Sequence, residues 1–133
     1  MTTDVLIYET GQGGDLYLQG NDVALTTGVE NVPYLAMFGG DNWWGNQYIA
    51  TPFASKTEAA LLSNPLTSAG RIAIEAAMQA DLAFLNDIPG TTWSVVTSIS
   101  GNPNLLNATI TINGQSFSMQ WNPNTLFLNY QIV

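Results

Sequence analysis

The sequence predicts an α+β domain of two layers: an antiparallel C-terminal β-meander covered by one long helix, with a β-hairpin near the N-terminus. Three observations predict it. Four strand-like runs, "TTWSVVTSI", "NLLNATITI", "QSFSMQW" and "TLFLNYQIV", succeed one another with only "SGNPN", "NG" and "NPN" between them. Ahead of them, Ile74, Met78, Leu82 and Leu85 recur at helical spacing. Near the start, "GGDLYLQGNDVALTTG" sets Leu16 and Leu18 against Val23 and Leu25 across "QGND", a hairpin composition. At 133 residues, with no internal repeat or low-complexity linker, residues 1–133 read as a single domain.

Taken in order, "DVLIYE" from Asp4 is a β-rich run that precedes the hairpin. "GVENVPYLAMF" carries apolar residues at Val32, Leu35, Ala36 and Phe38, which suits a short helix or an irregular packing segment; Pro33 is tolerated only in a first helical turn. "SKTE", Ser55 to Glu58, matches a capping box, with a helix expected through Leu62 and ending near Asn64 and Pro65. The long helix is expected from Thr67 or Ser68 to Asp87, where "IPG" stops it, with Arg71, Glu75, Gln79 and Asn86 toward its opposite face. In the meander, Leu106, Ala108, Ile110 and Ile112 share one face, and Phe117, Met119 and Trp121 alternate with Ser116, Ser118 and Gln120. Asn113-Gly114 has the positive-φ chemistry of a type I′ turn.

Composition removes several function classes. Apolar residues make up 46% and charged residues 9%, against roughly 25% charged in ordinary soluble domains. A surface of amides and hydroxyls opposes docking less than a charged one does, which points to a component of an assembly. Ten carboxylates against Lys56 and Arg71 give a net charge of −8, so the cations that nucleic acid or an anionic membrane surface requires are missing. The chain has no cysteine and no histidine, which removes thiolate chemistry, serine triads and the usual zinc sites. No cofactor or metal site is expected. The N-terminal "MTTDVLIYET" lacks a secretory signal pattern and no run approaches a membrane span, so a soluble protein is expected.

The ordered set of segments resembles the Mu-like phage baseplate protein family, related to the sheath-initiating wedge proteins of contractile tails. "GDLYLQGNDVALTTG" is similar to that family's opening "D-L-x-L" and "D-x-A-L-x-x-G" segments. "YLAMFGGDNWWGN" is similar to its "S-L-F" segment followed by "G-W-W-G-D", with Asn46 at the last place. "SKTEAALLSNPLTSAGRIAIEAAMQADLAFLND" is similar to its "S-x-L-W" segment and long helix, and the C-terminal strands complete the match over nearly the whole chain. Two departures stand out: "GGDN" is short and has no arginine before the tryptophans, and the stretch before the long helix lacks the family's tryptophan. The resemblance implies a non-enzymatic structural subunit of a contractile phage tail or phage-like particle. Its place would be the virion's baseplate wedge, and the host cytoplasm during assembly. Its partners would be other baseplate wedge and tail sheath subunits, in several copies around the tail axis.

Within that expectation, Trp43, Trp44 and Asn46 form one candidate partner interface. Adjacent residues of an extended segment point to opposite sides, so one indole is expected in the domain and the other at its surface or against a subunit. The alternative is a glycan-binding or host-contact module in which Trp43 and Trp44, flanked by Asp41, Asn42 and Gln47, stack on sugars. The last strand supplies the other candidates, Leu126, Leu128 and Tyr130, because an uncharged terminal strand is poorly protected against edge pairing and can be extended by a partner's strand. Two carboxylates could in principle hydrolyse a glycoside, with Asp41 and Glu58 as the pair, but Glu58 is better explained as a cap. Asp15, Asn21 and Asp22 fit hairpin chemistry better than a calcium loop, and "GQGGD" leads into a strand where a dinucleotide fingerprint requires a helix.

Overall fold

The computed structural model describes residues 32–39, 54–101 and 104–132, together with the backbone of six short strands between residues 4 and 26. The α+β prediction holds. Its centre is a four-stranded antiparallel sheet of β7 (Trp93–Ser100), β8 (Leu105–Ile112), β9 (Gln115–Asn122) and β10 (Phe127–Ile132), in spatial order β10-β9-β8-β7. Each strand pairs with its sequence neighbour, so the meander forms from local hairpins. Asn113 (φ 50°) and Gly114 (φ 84°) take the positive φ that the tight β8–β9 turn requires. Leu126 (φ 54°) also lies in the left-handed region, in the β9–β10 connection.

The sheet's alternation separates an apolar face from a polar one. Leu106, Ala108, Ile110 and Ile112 of β8 and Phe117, Met119 and Trp121 of β9 are all buried, as their spacing predicts. Against this face lie three helices: α1 (Val32–Phe38), α2 (Thr57–Ser63) and α3 (Ser68–Leu82), the last continued by a 3₁₀ turn over Ala83–Asp87. Ile74, Met78 and Leu82 of α3 are fully buried and Leu85 of the 3₁₀ turn nearly so. Burying each such side chain contributes about 1.5–3 kcal/mol, which is what fixes the helix to the sheet. The 3₁₀ tightening at Ala83 accounts for the helical pattern reaching Asp87 although the α-helix ends at Leu82.

The helix starts reflect local chemistry in one case and tertiary contacts in another. Thr67 caps α3, its hydroxyl oxygen accepting from the Gly70 N–H at 3.1 Å. Gly70 is needed there, since a Cβ on it would stand 1.8 Å from the Pro65 carbonyl oxygen. Pro33 sits at the second residue of α1, inside the first turn where proline is tolerated. In the N-terminal region, β1 (Asp4–Val5) pairs β6 (Leu25–Thr26), β2 (Ile7–Glu9) pairs β3 (Gly14–Leu16), and β4 (Leu18–Gln19) pairs β5 (Asp22–Val23), all antiparallel. The pairing Leu18↔Val23 is the predicted hairpin; Leu16 departs from expectation by pairing with Ile7.

Candidate partner interface

Ser55 does not open a capping box. Its hydroxyl is shared between the carbonyl oxygens of Ala36 (2.6 Å) and Gly39 (2.8 Å), the orphan acceptors at the end of α1. The Ser55 N–H reaches the Gly39 carbonyl as well, at 3.4 Å. The start of α2 is instead capped across the structure by Asp81 of α3. Both Asp81 carboxylate oxygens accept from the Lys56 N–H at 2.9 Å, and Oδ2 also accepts from the Thr57 N–H (2.9 Å) and the Thr57 hydroxyl (2.7 Å). An anion at a helix N-terminus satisfies its free donors and complements the helix dipole. Glu58, the expected partner of Ser55, is exposed. The three helices are thereby tied together through two polar side chains that carry their bonds to backbone.

A second polar cluster sits at the β7 edge of the sheet. Glu75 Oε1 accepts from the Thr97 N–H and from the Thr97 hydroxyl, both at 3.2 Å, and the Arg71 guanidinium donates to Thr97 Oγ1 at 3.0 Å. Arg71 and Glu75 also face each other at 3.8 Å. These two residues therefore do not lie on the helix's solvated face as expected. They turn to the sheet because an edge strand leaves alternate N–H groups unpaired, and a carboxylate reaching one of them guards the edge against a foreign strand. Asn86 likewise turns to β7, its Oδ1 accepting from the Trp93 indole N–H at 2.8 Å.

At the opposite edge, β10 pairs with β9 of its own chain from Phe127↔Asn122 to Ile132↔Phe117, and β2 comes close to it. Of the C-terminal candidates, Leu128 and Tyr130 point inward and are buried in the core. Tyr130 stacks at 6.2 Å on Phe117 and meets Tyr34 at 5.6 Å. The pleat gives these two side chains to the chain's own interior, so what β10 presents along the sheet edge at these positions is backbone. Leu126 alone of the three presents its side chain outward, 63% exposed. Burial raises the Tyr130 phenol above its ordinary pKa, and a backbone interaction with Tyr34 partly offsets this, although the hydroxyl makes no hydrogen bond of good geometry among the described residues. The buried Trp121 indole N–H also has no acceptor among them.

Trp43, Trp44 and Asn46 lie outside the described residues, as does Asp41 of the conceivable carboxylate pair. Among the described residues no three His, Cys, Asp or Glu side chains group as a metal site would need, and no helix is long and apolar enough to cross a membrane.

The outward face of the sheet is an array of hydroxyls and amides. Thr111 and Ser116 exchange a hydroxyl hydrogen bond at 3.2 Å, Gln120 donates to Asn107 Oδ1 at 2.9 Å, and Asn107 donates to Ser100 Oγ at 3.1 Å. Nothing among these groups is nucleophilically activated or acidic, so what the face can do chemically is hydrogen-bond. No protein-family model matches the chain, and neither a curated protein nor a solved structure was found to resemble it.

Proposed function

We propose that the chain is a structural subunit of a contractile phage tail or phage-like particle, placed in the baseplate wedge. It docks other wedge or sheath subunits through neutral polar and apolar surfaces and through backbone at a sheet edge. The observation that carries this reading is the ordered series of segments, from "GDLYLQGNDVALTTG" through the double tryptophan between Gly40 and Gly45 to the C-terminal strands. Two physical features support it. The chain has few charges to desolvate on docking. The exposed Leu126 holds an unfavourable left-handed backbone at a surface position, the kind of local cost that concentrates at functional sites.

Co-expression with the adjacent open reading frames, followed by purification, tests the proposal. A stable complex with a large wedge protein is the expected result. Recovery of the chain alone, with no neighbour retained, sinks it.

A further inference from the structure

The sequence holds one Asn-Gly dipeptide, Asn113-Gly114, and no Asp-Gly. Asparagine followed by glycine is the pairing in which a backbone nitrogen most readily attacks the side chain before it, because glycine has no Cβ to obstruct the approach. The fold leaves that approach open. Asn113 and Gly114 are both exposed, and even a Cβ added to Gly114 would meet nothing within 4 Å. The pair Ile112↔Gln115 closes the two-residue turn, so the Gly114 nitrogen stands outside the strand ladder. The same fold holds the reacting side chain away from that nitrogen. Asn113 donates its N–H to the Thr92 carbonyl at 2.9 Å, and its Oδ1 accepts from the Thr92 N–H, also at 2.9 Å. These two bonds clamp the turn to the residue just before β7. With φ at 50°, Asn113 lies in the left-handed region, where ψ is roughly +30 to +60°. The ring that closes when the Gly114 nitrogen attacks Cγ needs a negative ψ at Asn113, so the clamp has to open first.

We propose that Asn113 is a self-modification site: it deamidates spontaneously in the folded chain, at a rate set by how often the Thr92 clamp opens. Once it opens, the Gly114 nitrogen bonds to Asn113 Cγ, the Cγ–Nδ2 bond breaks, and ammonia leaves with the proton that Gly114 gives up. Water then opens the cyclic imide at either of its carbonyls. One route leaves an aspartyl side chain at position 113, whose carboxylate still accepts from the Thr92 N–H, more strongly for being charged. The other leaves an isoaspartyl residue, which carries the main chain through Cγ and adds a carbon to the backbone of the turn. That residue no longer fits the tight connection between β8 and β9, the two strands at the centre of the sheet. Either product also brings an ionised side chain to strands that have none, since no Asp, Glu, Lys or Arg follows Asp87. Neither reverts to asparagine, so the modified fraction grows with the age of the chain. The proposal stands on the turn and its clamp and does not depend on the baseplate reading.

Peptide mass spectrometry of the purified full chain, aged at mildly alkaline pH in buffer and in denaturing urea, tests it. Conversion at position 113 is expected in both, with isoaspartate the larger fraction and the folded rate at least about tenfold below the denatured one. T92P removes the donor to Oδ1 at a position just before a strand, where proline is tolerated, and is expected to raise the folded rate several-fold. Hydrogen exchange supplies a check that needs no variant. The Thr92 amide is expected to be protected by about the same factor by which folding slows deamidation, since one opening governs both. Absence of conversion at position 113 in the folded chain overturns the proposal, and so do equal rates in buffer and urea. A T92P chain that circular dichroism shows folded and that converts at the wild-type rate overturns it as well. The same holds for a Thr92 amide that exchanges freely while Asn113 stays slow. None of these outcomes requires a wedge partner, so they are separate from the co-purification test.

Discussion

Removing the Asp81 carboxylate is the sharpest test of how the helices are held. In D81A the N–H groups of Lys56 and Thr57 lose their acceptors, and the Thr57 hydroxyl, on a residue with 0% exposure, is left buried without one. Loss of an N-cap costs about 0.5–2 kcal/mol. A buried donor left unsatisfied adds about 1–3 kcal/mol. Because Lys56 is exposed and water replaces part of its bond, about 3 kcal/mol is the expected total. For a chain of this length that corresponds to a fall in Tm of about 10 °C. D81N keeps one acceptor oxygen and is expected to lose about half as much. Urea denaturation followed by circular dichroism reads both, with the m-value checking that the denatured state has not changed. E58A is the matched control: exposed and outside the cap, it is expected to stay within about 0.5 kcal/mol of wild type. A D81A loss below about 0.5 kcal/mol, or an E58A loss equal to that of D81A, would refute the tertiary cap and restore the capping box.

Three further outcomes rest on particular residues. G70A drives a Cβ to 1.8 Å from the Pro65 carbonyl and is expected to destabilise by at least 2 kcal/mol, on the order of severe overpacking, in the same urea assay. L126G removes a left-handed strain of about 1–2 kcal/mol, offset in part by the greater chain entropy of glycine, so thermal melts are expected to show equal or modestly higher stability. Tyr130 has its pKa raised in the folded state, so the fold binds its proton more tightly than the unfolded chain does; the associated stability is intact below about pH 10 and declines as pH rises above that value. Melts between about pH 9 and pH 11.5 are expected to show this decline in wild type and a shallower one in Y130F, and parallel declines in the two would disprove the assignment.

The legible part of the fold is periodic. The alternation through β8 and β9 and the 3.6-residue spacing of Ile74, Met78 and Leu82 are properties of nearby residues, and the burial of each results from them. Asn113-Gly114 is readable for the same reason, since its turn is local. The part that escapes is long-range and polar. Ser55 stands three residues before Glu58, the spacing of a capping box, yet its hydroxyl finds carbonyls 16 and 19 residues earlier in the chain. Asp81 reads as a helix-surface acid until α3 is laid beside α2. Arg71 and Glu75 have ordinary (i, i+4) spacing on a helix, and only the position of β7 at the sheet's end explains why they turn inward. For Leu128 and Tyr130, uncharged composition suggests availability, whereas period-2 alternation with Asn129 assigns them to the inner face. The double tryptophan stands apart, since Trp43 and Trp44 lie outside the described residues.

The Ser55 hydroxyl has a consequence for how this chain can diverge. It joins the chain at residue 55 to the carbonyls of Ala36 and Gly39, so Gly39 and Ser55, 16 positions apart, are held at one point. Loop-closure entropy grows only logarithmically, by about 0.6 kcal/mol for each doubling of length. With Gly39 and Ser55 already tied together, a change in the number of residues between them alters the closure entropy by little.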